Sequence, residues 1–312
     1  MSRVVRVGAA QMGPLQKSDT REVAVDRMLS LLNQANEQGC NLIVFPELAL
    51  TTFFPRWNIN DREEIDAYFE TEMPNVATQR LFDRAKECRI AMYLGYAEMA
   101  EENGERHHFN TSILVDPDGK IVGKYRKIHL PGHVECDPER AFQHLEKKYF
   151  EVGDTGFRVW RTMDGIFGMC ICNDRRWPET YRVMGLQGVE MVLLGFNTPN
   201  TNSQRAEEGP ELRIFHNDLS VQAGAYQNGT WVIAVAKAGN EDGHQLLGGS
   251  TIVHPSGRIL ARTETLEDEL IAADCDLDEC NFYKETIFDF ARHRRIEHYG
   301  LITGQTGVVR PD

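Results

Sequence analysis

Two segments that lie far apart in the chain follow one pattern. Residues 112–123 (SILVDPDGKIVG) and 250–261 (STIVHPSGRILA) each predict a strand, a Pro-x-Gly turn and a second strand. The two segments match in register from end to end, so that Pro117 corresponds to Pro255. A hairpin repeated in this way indicates a chain with two similar halves.

Short apolar segments and helical segments alternate around these hairpins. Further strands are predicted at 4–10, 42–45, 91–96, 167–171, 191–196, 231–236 and 270–273, and helices at 19–38, 61–70, 75–88, 211–227, 277–292 and from Pro178 onward. Because hairpins interrupt the crossover helices, the pattern predicts mixed sheets covered by helices, an α/β (α+β) class. No linker rich in Pro, Ser and Gly divides the chain, so we expect one domain over residues 1–312, with a tail from about residue 303.

Charge and hydropathy limit the partners of the chain. Its 34 Lys and Arg residues against 47 Asp and Glu residues give a net charge of −13, which disfavours nucleic acid as a partner. Residues 1–12 contain no apolar stretch long enough for a signal peptide, and no later stretch approaches the roughly 18 apolar residues of a membrane span. We therefore expect a cytoplasmic protein without a membrane partner.

Cysteine and histidine spacing indicates neither a disulfide framework nor a metal site. Seven cysteines are an odd number in a chain without a secretion signal. His129 and His133 have the spacing of a helical metal pair, but Pro131 and Gly132 between them prevent that helix. The sequence predicts no metal site.

The apolar segment 167–171 ends at Cys172, and charged residues follow at once. The carboxyl end of a buried strand is where α/β folds place their ligands. The nearby arginines at 175–176 and a helix that opens at Pro178 would lower the pKa of the Cys172 thiol and make it a thiolate nucleophile. From this segment alone, a buried core cysteine remains the alternative, and it is our interpretation of Cys170.

Two more polar side chains are placed at the ends of predicted strands. Glu47 follows the segment 42–45 with only Pro46 between, where a buried carboxylate can act as a general base. Lys127 ends an alternating basic segment. The alternatives are a solvent-facing glutamate and an ordinary basic edge strand. Together with Cys172, however, they would supply a base, a fixed cation and a nucleophile, the parts of an acyl-transfer site.

Three separate motifs carry a resemblance to a known family. FPE at Glu47, KYRKIHL around Lys127 and CNDRRWPE from Cys172 resemble, in that order, the Glu-Lys-Cys motifs of the nitrilase superfamily of carbon–nitrogen hydrolases. Asn173 and the doubled arginine at 175–176 depart from the general pattern and look like those of N-carbamoyl-D-amino acid hydrolases. That closer resemblance extends to the segments 48–57, 127–133, 142–151, 195–200, 222–229 and 298–302.

The resemblance has structural implications. It implies a four-layer αββα sandwich of the nitrilase type with two mixed sheets. It also implies a homodimer or homotetramer and an enzyme that needs no cofactor.

The resemblance also implies an activity. N-Carbamoyl-D-amino acids would be hydrolysed to the D-amino acid, ammonia and carbon dioxide through a carbamoyl group on Cys172, with Glu47 and Lys127 as its partners. Glu146 would be a second carboxylate that orients Lys127. The residues implied for substrate binding are Asn173, Arg175, Arg176, His129, His144, Asn197 and Thr198. A structural role remains the alternative for each histidine and each arginine, and turn formation before Pro199 for the last two residues.

Other functions stay open at this point. A β-ureidopropionase-like enzyme or an aliphatic amidase would use the same chemistry on another substrate. A non-catalytic binding protein of this fold would be indicated by loss of a triad residue, and all three are present. The polar segment 197–210 is too long for a simple connection, so it is either disordered or a cover of the site.

Overall fold

The computed structural model describes residues 2–311, and β-strands form its centre. The strands are β1 (Val4–Gln11), β2 (Leu42–Val44), β3 (Ala91–Glu102), β4 (Glu105–Val115), β5 (Ile121–Arg126), β6 (Val159–Thr162), β7 (Gly165–Ile171), β8 (Met191–Phe196), β9 (Trp231–Ala236), β10 (Ala238–Glu241), β11 (His244–Leu247), β12 (Thr251–Val253), β13 (Ile259–Arg262) and β14 (Glu269–Asp276). The helices are α1 (Arg21–Glu37), α2 (Arg62–Asp66), α3 (Gln79–Cys88), α4 (Glu146–Tyr149), α5 (Pro178–Leu186), α6 (Pro210–Asn228), α7 (Glu279–Glu285), α8 (Phe290–His293) and α9 (Gly300–Gly304). Short 3-10 turns lie at Phe54–Arg56, Cys172–Arg176 and Ile296–His298.

Twelve of these strands form two six-stranded sheets with the same layout. The first sheet has the order β14-β1-β2-β3-β4-β5, and the second has the order β13-β12-β9-β8-β7-β6. In each sheet three strands run parallel, β1, β2 and β3 in the first and β7, β8 and β9 in the second, and the flanking strands are antiparallel. The predicted mixed sheets are therefore confirmed.

The repeated sequence pattern corresponds to an edge hairpin in each sheet. Segment 112–123 forms the hairpin between β4 and β5, and segment 250–261 forms the hairpin between β12 and β13. The register shifts at the matching point of both hairpins, between Leu114 and Val115 and between Ile252 and Val253. The prediction of two similar halves is confirmed down to this irregularity.

The two sheets pack face to face between helices. One hydrophobic cluster joins Val7 and Tyr93 of the first sheet to Met169 and Met191 of the second, and it extends to Tyr181 on α5. A second cluster packs α1 and α3 on the outer face of the first sheet. Helix, sheet, sheet and helix thus form the expected four-layer αββα sandwich.

The loops at the carboxyl ends of the parallel strands meet between the sheets. Glu47 follows β2, Cys172 follows β7 and Asn197 follows β8. The Tyr93 hydroxyl links the sheets, since it donates to the Cys170 carbonyl and accepts from the backbone N–H of Gly195, both at 3.1 Å. This edge of the sandwich is where the topology places a ligand.

Among residues 2–311, no helix combines the length and apolar character needed to span a membrane. The same residues contain no group of three or more His, Cys, Asp or Glu side chains arranged to bind a metal ion.

The predicted helix 277–292 is interrupted. Helix α7 ends before Thr286, and the Asp289 side chain caps the new helix α8 by accepting from the backbone N–H of Arg292 (3.1 Å).

Candidate active site

Glu47 lies where the chain leaves the first sheet. Strand β2 is completely buried, Pro46 ends it, and the Glu47 side chain is buried as well. Its Oε1 accepts hydrogen bonds from Lys127 Nζ (2.7 Å) and Asn110 Nδ2 (2.8 Å), and its Oε2 accepts one from the backbone N–H of Asn197 (2.9 Å). A buried carboxylate with three donors is held in one orientation, which excludes a solvent-facing glutamate.

Lys127 directly follows β5, and its ammonium group joins two carboxylates. Its Nζ donates to Glu47 Oε1 at 2.7 Å and to Glu146 Oε2 at 2.6 Å, and all three side chains are buried. Burial would lower its pKa, but Cys172, Glu146 and Glu47 outweigh burial and raise that pKa, so the group stays an ammonium ion. An ammonium ion has three N–H donors. Within residues 2–311 two of them have acceptors, which leaves one for a bound group.

Glu146 begins the short helix α4 and is the second carboxylate that accepts from Lys127. Its Oε1 lies 2.8 Å from Nε2 of His144. Burial would raise the pKa of Glu146, but the charge of Lys127 and the hydrogen bond with His144 outweigh burial and lower that pKa. Glu146 is thus the second carboxylate implied by the resemblance, and it contacts Lys127 directly.

Cys172 follows β7 in a backbone conformation that is unusual for a side-chain-bearing residue. Its φ is +47°, in the left-handed region, and its Sγ is 3.5 Å from the carbonyl oxygen of Asn197. Arg175 Nη1 donates to the Cys172 carbonyl oxygen at 2.5 Å. A strained turn that is held by such contacts is typical of a functional position.

The ionisation of Cys172 differs from the sequence prediction. Burial and the Glu47 carboxylate raise the pKa of its thiol, while Lys127 and Arg175 offset only part of this rise. The expectation of a lowered pKa is therefore wrong. It considered the neighbouring arginines, but not the burial of the thiol or the carboxylate of Glu47, which is distant in sequence and close in the fold. Near neutral pH Cys172 is a thiol and needs a base to act as a nucleophile.

A cavity of about 420 Å³ opens beside Cys172. Six predicted site residues line it: His144, Cys172, Asn173, Arg176, Asn197 and Thr198. Lys147, Arg213 and residues 201–204 line it as well. Of the two alternatives for segment 197–210, a cover of the site is the one that this arrangement supports.

Arg176 is one of three cationic side chains that line the cavity. Within the part of the chain that the structure describes, its guanidinium group has no hydrogen bond and no ion pair with protein. The surrounding protein and the charge of Arg175 lower its pKa to about 10, so it is still a cation near neutral pH. A free guanidinium beside a nucleophile can bind a carboxylate through two hydrogen bonds.

Arg175 lies beneath the nucleophile and is 1% exposed. Its guanidinium donates to the Cys172 carbonyl (2.5 Å), to Asn217 Oδ1 (2.8 Å) and to Thr198 Oγ1 (3.0 Å). These contacts favour the structural alternative for Arg175 over substrate binding. It holds the nucleophile turn against helix α6.

His129 also supports the site from outside the cavity that contains Cys172. Its Nδ1 is 2.9 Å from Oδ1 of Asp174, and its ring stacks between Trp177 and Phe157 with centroids 4.9 Å and 5.6 Å away. It lines a neighbouring cleft together with Trp177. The structural alternative is therefore favoured for His129, whereas His144 lines the cavity.

Comparison with known proteins identifies the family. The model of the carbon–nitrogen hydrolase family matches residues 6–285. The chain belongs to the carbon–nitrogen hydrolase family. The chain has the fold of this family, and it is an amidohydrolase that acts on carbon–nitrogen bonds.

Several relatives of this hydrolase align over almost the whole chain. A nitrilase from Pyrococcus abyssi is 28% identical over 95% of this chain and 99% of its own length. An N-carbamoylputrescine amidase from Solanum tuberosum is 28% identical over 89% of this chain and 88% of its own.

Solved structures show the same fold. The crystal structure of a carbon–nitrogen hydrolase from Helicobacter pylori G27 superposes with a TM-score of 0.82, at 24% identity, and covers 97% of this chain and 99% of its own. An amidase from Nesterenkonia sp. AN1, whose active-site cysteine carries the acetamide moiety of fluoroacetamide, superposes with a TM-score of 0.71 at 22% identity and covers 95% of each chain.

Three residues of this hydrolase site escaped the sequence analysis. Asn110 on β4 contacts Glu47, and Arg213 on α6 lines the cavity. Asp174 accepts hydrogen bonds from the Tyr125 hydroxyl (2.7 Å) and the backbone N–H of His129 (2.9 Å), so it ties the nucleophile turn to the segment around Lys127. The signal available in the sequence was an acidic residue, Asp174, beside two arginines.

Proposed function

We propose that this hydrolase converts N-carbamoyl-D-amino acids to D-amino acids, ammonia and carbon dioxide. The observation that carries the proposal is the free guanidinium of Arg176 in the wall of the Cys172 cavity. It places a carboxylate-binding group next to the nucleophile and supports a substrate with both a carbamoyl group and a carboxylate.

The other charges of the cavity support an anionic substrate as well. Lys147 and Arg213 line the same cavity as Arg176. Arg213 is engaged by the Pro199 carbonyl (2.6 Å) and by Glu208 (3.5 Å), whereas Lys147 is exposed. One relative is named for N-carbamoylputrescine, which carries a cationic amine in place of a carboxylate. The cationic side chains of this cavity would repel that amine.

The preference for the D enantiomer is supported by the sequence resemblance. Asn173 and the arginines at 175–176 are similar to those of N-carbamoyl-D-amino acid hydrolases. In the structure, Asn173 and Arg176 line the cavity, and Arg175 fixes the turn that carries both. A substrate held at its carbamoyl group and its carboxylate presents its two α-carbon faces to different walls.

In the first step of the proposed mechanism, Cys172 Sγ attacks the carbamoyl carbon. Glu47 takes up the thiol proton and passes it to the departing ammonia. The remaining N–H of Lys127 Nζ and the backbone N–H of Asn173 stabilise the oxyanion, a contribution of about 3–4 kcal/mol for one such donor. The carbonyl carbon, still bonded to the nitrogen of the amino acid, is now joined to Cys172 Sγ as a thiocarbamate.

In the second step, water replaces the sulfur. Glu47 takes a proton from the water, and the resulting hydroxide attacks the carbamoyl carbon. The bond between this carbon and Sγ breaks, and Glu47 returns the proton to the departing sulfur, which restores the Cys172 thiol. The product carbamic acid loses carbon dioxide and leaves the free amino acid. Atoms balance as one carbamoyl amino acid and one water giving one amino acid, one ammonia and one carbon dioxide.

The experiment that tests the proposal is ammonia release from matched D and L N-carbamoyl-phenylalanine. Wild-type protein and the Cys172→Ala variant are compared. We expect release from the D compound alone, and none in the variant. Equal release from both enantiomers would remove the D preference, and undiminished release in the variant would remove Cys172 as the nucleophile.

Two further substrates separate the alternatives. Release only from N-carbamoyl-β-alanine would indicate a β-ureidopropionase-like enzyme, and release only from simple amides would indicate an aliphatic amidase. A folded protein that releases ammonia from none of these compounds would support a non-catalytic binding protein.

A further inference from the structure

Asn110 contacts both partners of the nucleophile, although it lies outside the catalytic cavity. It is completely buried on β4, and its Nδ2 donates to Glu47 Oε1 at 2.8 Å. Its backbone carbonyl accepts from the backbone N–H of Lys127, also at 2.8 Å. One residue therefore fixes the carboxylate of Glu47 and the start of the Lys127 side chain.

The two carboxylate oxygens of Glu47 have different surroundings. Oε1 accepts two hydrogen bonds, from Lys127 Nζ (2.7 Å) and Asn110 Nδ2 (2.8 Å), whereas Oε2 accepts one from the backbone N–H of Asn197 (2.9 Å). A carboxylate has about four lone-pair sites, two on each oxygen. Oε1 is thus fully occupied, and Oε2 keeps one site free for a proton.

The orientation of the Asn110 amide follows from the same contact. An ionised carboxylate only accepts hydrogen bonds, so Asn110 presents its NH₂ group to Glu47. Its Oδ1 is buried and has no hydrogen-bond partner within residues 2–311. The reversed amide would place Oδ1 against the Glu47 carboxylate, where both groups would repel each other.

We propose that Asn110 is a positioning residue that occupies Oε1 of Glu47 with a neutral donor and so directs the Cys172 proton to Oε2. This inference rests on the proposed function, in which Glu47 is the base. The other titratable groups that face Glu47 are Lys127 from the end of β5, Cys172 from the turn after β7 and Tyr93 from β3. Glu146 from α4 faces Lys127, and Arg175 faces Cys172.

The variant Asn110→Asp tests the proposal, because it keeps the shape of the side chain and replaces the donor by an oxygen. The introduced carboxylate and Glu47 would share one proton, so that Glu47 becomes a free base only at higher pH. We expect the acid limb of the kcat/KM profile to move upward by about one pH unit or more. KM at the optimum should change less than about twofold, since one lost contact outside the cavity removes no substrate binding.

The variant Asn110→Leu separates the donor from the charge. It removes the hydrogen bond without adding a carboxylate, so we expect kcat to fall about tenfold or more, with a smaller shift of the acid limb than in Asn110→Asp. Ser112→Ala is the matched control. Ser112 is buried on the same face of β4, and its Oγ is 3.9 Å from the sulfur of Met169 instead of contacting the triad. Its acid limb should stay in place.

Each result decides the proposal. An Asn110→Asp variant that melts near the wild-type temperature but keeps the wild-type acid limb would overturn it. Should that variant not fold, a wild-type kcat in Asn110→Leu would overturn it instead. Failure of the proposed function is distinct, because the wild type itself would then release no ammonia from any carbamoyl amino acid.

Discussion

A buried thiol beside a carboxylate needs a base before it can attack. Burial and Glu47 raise the pKa of Cys172, so nucleophilic attack and proton transfer to Glu47 belong to one step. Lys127 contacts Glu47 and Glu146 at once, and its raised pKa keeps it a cation while the oxyanion forms.

The variant Glu47→Gln should affect alkylation and hydrolysis in opposite directions. Removal of the negative charge lowers the pKa of Cys172, so the midpoint of its pH-dependent alkylation by iodoacetamide should move to lower pH. Hydrolysis should fall by about 10²-fold or more, since the base is lost. A midpoint that stays in place or rises would show that Glu47 does not control the thiol.

Arg176 and Arg175 should fail in different ways when they are replaced. Loss of the charge-assisted hydrogen bonds of Arg176 in Arg176→Ala should raise KM for N-carbamoyl-D-phenylalanine about tenfold or more and leave KM for a neutral amide nearly unchanged. Arg175→Met should instead lower kcat for both substrates, because Arg175 holds the Cys172 turn. Equal effects of Arg176→Ala on both substrates would refute carboxylate binding.

At the scale of elements, the site depends on how closely two strand ends approach. A Cβ on Gly195 of β8 would lie 2.4 Å from the backbone nitrogen of Glu47 and 2.6 Å from the carbonyl carbon of Pro46. Only glycine permits this contact between the sheets. The sequence predicts β2 and β8 as strands, but it does not reveal their distance, because that distance depends on packing across the sandwich.

Gly195→Ala should therefore disturb both stability and catalysis. Overpacking against backbone atoms should cost about 1–3 kcal/mol of unfolding free energy and lower kcat by displacing Glu47. Gly168→Ala on β7 is the matched control, because its nearest neighbour is the sulfur of the flexible Met184 side chain at 2.6 Å. Denaturant unfolding and kcat of both variants check this, and equal losses would contradict the role of Gly195.

Helix α6 shows where sequence periodicity is informative and where it is not. Its extent is close to the predicted 211–227, but it buries Arg213 and Asn217 against the site. Its apolar stripe, formed by Leu212, Phe215, Leu219 and Tyr226, lies at the surface. Phe215 is 57% exposed and Leu219 is 54% exposed. Periodicity identifies a helix with two faces, whereas the neighbours of each face decide which one is buried.

For the whole molecule, local motifs predicted more than isolated residues could. The repeated hairpin predicted two similar halves, which are the two sheets of the same layout, and the ends of apolar strands indicated Glu47 and Cys172. Asn110 could not be predicted, because its importance comes from contact with Glu47 across strands that are distant in sequence. The pKa of Cys172 depends in the same way on groups brought together by folding.

The apolar stripe of α6 bears on assembly, which stays a prediction. Large apolar side chains such as Phe215 and Leu219 are exposed on this helix, and we propose that a second copy of this chain covers them. Light scattering should give a molar mass two or four times that of the chain, and Phe215→Lys should lower it. A monomeric wild type would contradict the proposal.

The central claim is a carbamoyl group on Cys172, and intact-protein mass spectrometry of enzyme quenched during turnover tests it most directly. With N-carbamoyl-D-phenylalanine we expect a mass increase equal to the substrate minus ammonia, located on Cys172 by peptide mapping and absent in Cys172→Ala, which should also release no ammonia. An adduct on another residue, or undiminished ammonia release by Cys172→Ala, would contradict the account.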